Sequence, residues 1–223
     1  MSTVVNGGRS VTVGTAGRIS YPIAVTVKDD SGIKGLRRLS TFNRSNLYGF
    51  VEWSGTTCVK KSRTTSVCTG TMTADAYWIR DSDDIDSNRV AGEWTVNLSV
   101  EAQDGDHRVY YGAAAYKVRR AAKLTVAAPA KAGKGTRIAV TGQLTQANWE
   151  SRKYQGYAKQ TAMLQFRKNG AARYSTVRTV KTGGAGKIST EVAVTASGSW
   201  RWYYPGTDAV ASAASAGVAV TLK

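Results

Sequence analysis

The stretch Trp94-Thr95-Val96-Asn97-Leu98-Ser99-Val100-Glu101-Ala102 alternates strictly between apolar and polar residues. A period of two is typical of a β-strand that buries one face and exposes the other. The same period recurs in Tyr21–Val27, Ile138–Leu144, Ile188–Val194, Trp200–Tyr204 and Val218–Leu222. Turns rich in glycine and aspartate separate these segments, and no segment combines a 3.6-residue period with helix caps. The chain is therefore predicted to be all-β.

The length of 223 residues fits two domains. A short link, Arg119-Arg120-Ala121-Ala122, lies between a predicted strand over Val109–Val118 and another that opens at Leu124. It divides the chain into residues 1–120 and residues 121–223, and each part has the size of an immunoglobulin-like sandwich. We predict two tandem immunoglobulin-like antiparallel β-sandwiches.

Positive charge is concentrated in the second part of the chain. The formal net charge is +16; residues 1–120 contain 16 Lys/Arg against 12 Asp/Glu, whereas residues 121–223 contain 15 against 3. Such a field attracts anionic polymers, membranes or acidic proteins. The alternative is a surface made basic for solubility. No apolar run approaches the roughly 18 residues that a membrane span needs.

Cys58 and Cys68 are the only two cysteines, and nine residues separate them. This spacing suits a disulfide across a β-hairpin, which implies an oxidising compartment. The alternative is a pair of free thiols in a reducing cytosol. Met1 is followed directly by the polar stretch Ser2–Arg9, which contains no signal sequence, so a cytoplasmic protein is the alternative. Because of the cysteine pair we expect instead a mature exported chain, in which Met1 stands where a leader was removed.

Aromatic and basic residues are interleaved from Trp149 to Lys159, where alternation is lost and an ordered loop is expected. Rings interleaved with cations suit sugars, anionic polymers and protein partners. The alternative is a loop that its aromatic residues hold against its own sandwich. The candidate site for an anion or partner comprises Trp149, Arg152, Lys153, Tyr154, Tyr157, Lys159, Arg167, Lys168, Arg173 and Arg178.

An acidic stretch between Asp81 and Asn88 offers oxygen ligands that suit calcium. The EF-hand pattern fails, because Arg89 stands where the loop needs glycine and Thr95 stands where it needs glutamate. A calcium site of another kind remains a hypothesis, built from this stretch together with Asp29, Asp30, Asp104 or Asp106. The alternative is a solvated loop. The candidate metal ligands are Asp81, Asp83, Asp84 and Asp86.

Residues with the chemistry of catalysis are sparse. His107 is the only histidine, and no nucleophile motif surrounds it. The sequence contains neither a phosphate-binding glycine motif nor a nucleic-acid recognition motif. We therefore expect a non-enzymatic protein without a cofactor, apart from the calcium hypothesis, and without a specific nucleic-acid partner.

Several motifs of the chain resemble a group of exported proteins from Streptomyces-like actinobacteria. In the first part these are Val4–Gly8, Val27–Lys34, the cysteine pair, Ala91–Trp94 and Ala102–Asp106. In the second part they are Val140–Thr145, Leu164–Arg167, Tyr174–Val180 and Gly198–Trp202, which look like bacterial immunoglobulin-like modules. The resemblance implies export and this fold, and members are sometimes labelled calcium-binding.

Three functions follow from these observations. The first is an extracellular, non-catalytic protein that associates with an anionic cell-wall or extracellular polymer through its basic second domain. The second is a protein–protein interaction module, such as a protease inhibitor or an assembly component, with Lys60, Lys61 and Arg63 at its contact. The third is a calcium-binding structural protein.

Overall fold

The computed structural model describes residues 1–50, 53–80 and 87–223, apart from the side chains of Phe50, Trp78, Arg80 and Ser87. The chain divides into two compact units. Unit 1 comprises Met1–Arg120 and Trp149–Ser151, and unit 2 comprises Ala121–Asn148 and Arg152–Lys223. None of the helices in these ranges has the length and apolar character needed to cross a bilayer.

Besides the 3-10 turns Asn6–Gly8 and Ser87–Val90, unit 1 contains nine strands and one short α-helix within its described residues. They are β1 (Ser2–Val5), β2 (Val11–Val13), β3 (Arg18–Lys28), β4 (Ile33–Asn43), β5 (Gly49–Phe50), β6 (Trp53–Lys60), β7 (Thr65–Asp75), α1 (Ala76–Arg80), β8 (Gly92–Ala102) and β9 (His107–Arg120). One sheet has the order β1-β3-β7-β6, and the other has the order β2-β9-β8-β4-β5. All neighbours pair antiparallel except β2 and β9.

The core of unit 1 lies between these two sheets. The apolar residues of β8 from Trp94 to Ala102 are at most 5% exposed, as are four residues of β3, namely Tyr21, Ile23, Val25 and Val27. Both strands therefore bury the face that their alternation predicts. The predicted all-β fold class, with a β-sandwich of two packed sheets, is confirmed.

Unit 2 has the same two-sheet construction. Its strands are β10 (Ala122–Leu124), β11 (Lys131–Ala132), β12 (Arg137–Asn148), β13 (Lys153–Gly156), β14 (Thr161–Lys168), β15 (Ser175–Lys181), β16 (Lys187–Ala193), β17 (Gly198–Tyr204), β18 (Ala213–Ala214) and β19 (Val218–Leu222). In one sheet β12 pairs with β10, β13 and β16; the larger sheet has the order β11-β19-β17-β14-β15, and β18 pairs with β17.

Aromatic residues form much of the core of unit 2. Trp200, Trp202 and Tyr204 are at most 3% exposed and pack with Leu144 and Leu164. The indole Nε1 of Trp202 donates a hydrogen bond to the carbonyl oxygen of Thr141 over 3.1 Å. The interpretation of these aromatic residues as core is confirmed, because the period of two points all three inward.

One local expectation is wrong. The expected loop from Trp149 to Lys159 contains strand β13, whose residues pair with Thr145–Asn148 of β12. The helix α1 has only five residues. Such a short helix covers little more than one turn, and a 3.6-residue period cannot be recognised over that length.

The disulfide between Cys58 and Cys68 is confirmed. The two residues lie directly opposite each other in β6 and β7, with their Cα atoms 4.0 Å apart. Cross-strand pairs this close occur where no backbone hydrogen bonds join the two residues. Cys68 is fully buried, so the bridge attaches the edge strand β6 to the core of unit 1.

Candidate functional site

Two arginines and a tyrosine form a cluster at the larger sheet of unit 2. The Cζ atom of Arg201 lies 3.9 Å from the centroid of the Tyr174 ring, and the Cζ atom of Arg167 lies 4.9 Å from it. Both distances are within the range of cation–π attraction. We call these three residues the Arg–Tyr–Arg cluster.

The strand pattern places the two arginines on the outer face of this sheet. Arg201 stands between the buried residues Trp200 and Trp202, and Arg167 directly follows the core-packed Phe166. Successive side chains of a strand point to opposite faces, so both guanidinium groups leave the core. Tyr174 comes from the connection between β14 and β15.

The hydroxyl group of Tyr174 lies close to the backbone of Gly217. A Cβ atom at Gly217 would lie 2.5 Å from the Oη atom of Tyr174, a distance at which one of the two must move. The absence of a side chain at Gly217, just before β19, therefore leaves room for the tyrosine hydroxyl.

Neither guanidinium group of the cluster makes an ion pair with any described residue. The Nε atom of Arg201 donates to the Oε1 atom of Gln165 over 2.9 Å, which orients the group and leaves its terminal nitrogens for other acceptors. A guanidinium that stacks on a ring still presents its N–H edge to an anion. The cluster can therefore accept two anionic groups, or one group held by both arginines.

Lys168 and Arg173 extend this positive surface. Lys168 ends β14, Arg173 immediately precedes Tyr174, and both side chains are exposed. Arg178 is not part of this positive surface. It lies in β15 opposite the buried Leu164 of β14, so its side chain is on the inner face of the sheet. Its Nη1 atom donates to the Oγ1 atom of Thr190 over 3.3 Å, so it closes the edge of the sandwich.

The other predicted residues of unit 2 lie apart from the cluster. Tyr154 lies under the ammonium group of Lys123, which is 3.8 Å from its ring centroid, and burial raises the pKa of the Tyr154 hydroxyl. Tyr157 packs edge-on against Tyr204 at 6.0 Å. Arg152 and Lys159 occupy turns with positive φ, and Lys153 begins β13 with an exposed side chain.

Trp149 belongs to the core of unit 1. Its side chain is fully buried, and its Nε1 atom donates to the carbonyl oxygen of Val13 over 3.4 Å. Its backbone nitrogen donates to the Oδ1 atom of Asn88 over 3.1 Å. The ring consequently offers no surface on which a partner could stack.

The acidic residues of unit 1 meet at the turns that follow β3 and β8. The carboxylates of Asp29, Asp30 and Asp104 lie within 4.8 Å of one another, whereas Asp106 is outside this group. The Oδ1 atom of Asp29 accepts hydrogen bonds from the backbone nitrogen and hydroxyl of Ser31, which lower the pKa of Asp29. These contacts account for the turn itself, and calcium binding stays a prediction.

The candidate metal ligands Asp81, Asp83, Asp84 and Asp86 lie outside the described residues. His107 is exposed and begins β9. The depression beside it, about 360 Å³, is lined by Asp29, Asp106 and Arg108 among others, and none of its described lining residues is a serine, threonine or cysteine.

Sequence reasoning missed Tyr174, Arg201 and Gln165. The position of Arg201 between two tryptophans of an alternating strand was a usable signal, since it predicts an outward-facing cation. The role of Tyr174 had no such signal. Its contact with Arg201 joins a connection to a strand that follows later in the chain, and only the folded chain brings them together.

Comparison with known proteins gives a likeness of fold alone. No family model matches the chain, and no curated protein matches it. Among solved structures, the D0-D1 domain of intimin is 13% identical, with a TM-score of 0.33 and coverage of 95% of both chains. Latent PorU from Porphyromonas gingivalis is 13% identical with a TM-score of 0.30; the match covers this whole chain but 20% of that one.

A third solved structure is that of a candidate superoxide reductase from Thermotoga maritima. It is 11% identical with a TM-score of 0.32, and the match covers 44% of this chain and 85% of that one. The activities and partners of these three proteins are not transferred to this chain.

Proposed function

We propose that this chain is a non-catalytic, extracellular protein that binds an anionic cell-wall or extracellular polymer through unit 2. The observation that carries this proposal is the Arg–Tyr–Arg cluster, whose two guanidinium groups share one ring and make no ion pair with described residues. Lys168 and Arg173 add positive charge beside it. Phosphate, carboxylate and sulfate groups suit such donors.

The extracellular location is supported by the disulfide, because disulfides persist in oxidising compartments. The resemblance to exported actinobacterial proteins agrees with it. The excess of 15 Lys/Arg over 3 Asp/Glu in residues 121–223 would concentrate the protein on an anionic wall even before specific contacts form.

Chromatography on immobilised heparin and on purified wall polymer tests this proposal. The variant Arg167→Gln/Arg201→Gln removes two charges from the cluster and leaves a polar side chain at both positions. The matched variant Lys131→Gln/Lys187→Gln removes two exposed charges elsewhere in unit 2. We expect the cluster variant to elute at clearly lower salt than both the wild type and the matched variant.

Equal elution of the two variants would show that only the overall charge matters, and the cluster would then be rejected as a site. Failure of the wild type to bind either polymer at low salt would reject the proposal altogether. Circular dichroism and thermal melting of both variants keep loss of folding apart from loss of binding.

A further inference from the structure

A pocket of about 580 Å³ lies between β1 and β9 of unit 1. β1 is the edge strand of one sheet, and β9 belongs to the other sheet. The chain leaves β1 and passes through residues 6–10 to β2, which pairs with the end of β9. The pocket is therefore located where the chain crosses from one sheet to the other, and we call it the β1–β9 pocket.

Three cationic side chains line this pocket, together with one carboxylate. Arg9 comes from the crossing segment, and Lys117 and Arg119 come from β9. The carboxylate belongs to Glu93, which is opposite Lys117 in the sheet and is also paired with Arg44. Arg9 and Arg119, by contrast, make no ion pair with a residue that the structure describes. The lining consequently has an excess of positive charge.

Two buried polar atoms of the lining residues have no partner. The Nε atom of Arg119 and the Oγ1 atom of Thr3 make no hydrogen bond within the described parts of the chain. Buried polar groups nearly always have a partner, and an exception calls for an explanation such as a bound molecule. A guanidinium group stays charged and can only donate hydrogen bonds. The missing partner of Arg119 is therefore an acceptor, and a negatively charged acceptor forms the strongest bond.

The crossing segment holds the backbone of Arg9 beside the pocket. The backbone nitrogen of Arg9 donates to the carbonyl oxygen of Asn6 over 3.2 Å, and the Nδ2 atom of Asn6 donates to the carbonyl oxygen of Ser10 over 3.0 Å. These two bonds fix the segment on both sides of Arg9. An anion in the pocket thus meets a cation whose backbone is already ordered, which reduces the entropy lost on binding.

The rest of the lining is largely apolar and offers more room than an inorganic anion needs. Val4, Ala114 and Ala115 contribute apolar side chains. Tyr116 contributes its ring, because its hydroxyl is already bonded to Tyr21. A volume near 580 Å³ falls in the range of pockets that hold small organic molecules. The lining therefore fits a molecule in which an oxyanion is joined to an apolar group.

We propose that the β1–β9 pocket binds a small organic anion, whose carboxylate, phosphate or sulfate group accepts hydrogen bonds from Arg9 and Arg119. Thr3 donates its hydroxyl to the same oxyanion, and the apolar part of the ligand packs on Val4 and Tyr116. This site takes a small molecule through unit 1. It does not rest on the Arg–Tyr–Arg cluster or on the proposed polymer binding of unit 2.

Titrations followed by ¹H–¹⁵N NMR spectra of the full chain test this proposal. Phenyl phosphate and benzoate combine an oxyanion with an apolar ring, whereas inorganic phosphate lacks the ring and benzyl alcohol lacks the charge. We expect at least one of the two organic anions to shift the backbone amide signals of residues 3–10 and 114–119 until saturation. It should bind at least about tenfold more tightly than inorganic phosphate and benzyl alcohol, because only it uses both the charged and the apolar lining. Its affinity should fall as the salt concentration rises.

Substitutions at the two unpartnered atoms separate binding from folding. Arg119→Met should weaken binding of the organic anion at least about tenfold, because it removes a charged donor. Its melting temperature should be unchanged or higher, since a buried donor without a partner is removed. Thr3→Val should weaken binding roughly threefold with the same effect on the melting temperature. The matched variant Arg38→Met removes an exposed arginine of β4 that does not line the pocket, and it should bind like the wild type.

No saturable shift in residues 3–10 and 114–119, or shifts confined to unit 2, would overturn the proposal. Wild-type affinity in Arg119→Met would overturn it as well, and so would inorganic phosphate that binds as tightly as the organic anions. Binding in the pocket should survive in Arg167→Gln/Arg201→Gln. Retention on heparin should be the same in Arg119→Met and Arg38→Met, so failure at one site is distinguishable from failure at the other.

Discussion

The hydroxyl groups of Tyr21 and Tyr116 lie 2.8 Å apart in the core of unit 1 and join its two sheets by a hydrogen bond. Tyr21 is 1% exposed and Tyr116 is 8% exposed, so neither hydroxyl has ready access to water as a substitute partner. Their ring centroids are 5.8 Å apart. This pair is a polar contact between strands that otherwise pack through apolar side chains.

We predict that Tyr116→Phe lowers the free energy of unfolding by about 1–3 kcal/mol, because it leaves the Tyr21 hydroxyl buried without this partner. The double variant Tyr21→Phe/Tyr116→Phe should be more stable than the single one, since neither tyrosine hydroxyl is then left without the other. Urea unfolding of all three proteins measures the difference. A single variant as stable as the wild type would show that other groups satisfy Tyr21.

The same pair makes the stability of unit 1 sensitive to alkaline pH. Burial raises the pKa of Tyr21 from 10.0 to about 12, although its hydrogen bond with Tyr116 acts in the opposite direction. Burial also raises the pKa of Tyr116 well above 10.0. The unfolded chain therefore loses these protons first. The stability is fully present below pH 10, and it is lost as the pH rises from there through the folded-state pKa.

Above pH ~10, the free energy of unfolding should fall by about 1.4 kcal/mol per pH unit for each tyrosine that stays protonated in the folded state. Urea unfolding at successive pH values between ~9 and ~11 measures it. The double phenylalanine variant should show a flatter profile, because its remaining tyrosines are the same in both proteins. Parallel profiles for wild type and variant would contradict the assignment.

The sequence was most informative where burial is decided along a single strand. The alternation in β3, β8 and β17 predicted which residues form the core, because a strand with one buried face requires a period of two. It could not predict that Trp149 packs in unit 1 beside Val13, since that contact joins residues far apart in the chain. The Arg–Tyr–Arg cluster and the bulge at Gly112 likewise depend on the register between paired strands, which the residues of a single strand do not determine.

Removing the disulfide should destabilise the protein without changing its fold. The bridge closes a loop between residues separated by ten positions, so the chain-entropy model assigns it about 2–3 kcal/mol. We expect Cys58→Ala/Cys68→Ala to lose stability of this size in chemical unfolding while keeping the β-sheet circular dichroism spectrum. A reducing agent should lower the stability of the wild type but not that of the variant.

A methyl group at position 217 should disrupt polymer binding through Tyr174. The new Cβ atom in Gly217→Ala would lie 2.5 Å from the Tyr174 hydroxyl, so the tyrosine side chain must shift relative to Arg167 and Arg201. We expect earlier elution from heparin, although no charge has been removed. Tyr174→Phe, which removes only the hydroxyl, should restore retention in the Gly217→Ala background. No restoration would place the defect in the backbone of β19 instead.

The three carboxylates of Asp29, Asp30 and Asp104 allow a test of the calcium hypothesis. The direction in which Asp104→Asn changes the melting temperature decides it. They lie within 4.8 Å of one another, and like charges this close repel. Without an ion, Asp104→Asn should raise the melting temperature, on the order of 1 °C at low salt, because one of the repelling charges is gone. The amide oxygen of the new asparagine can still accept the hydrogen bond that the backbone nitrogen of Asp106 donates to residue 104.

We expect this rise in melting temperature in the presence of chelator, and we expect added calcium to leave the wild-type melting temperature unchanged. A calcium-dependent rise in the wild type that Asp104→Asn abolishes would instead assign the turn as a calcium site, because the cation would then offset the repulsion that the substitution relieves.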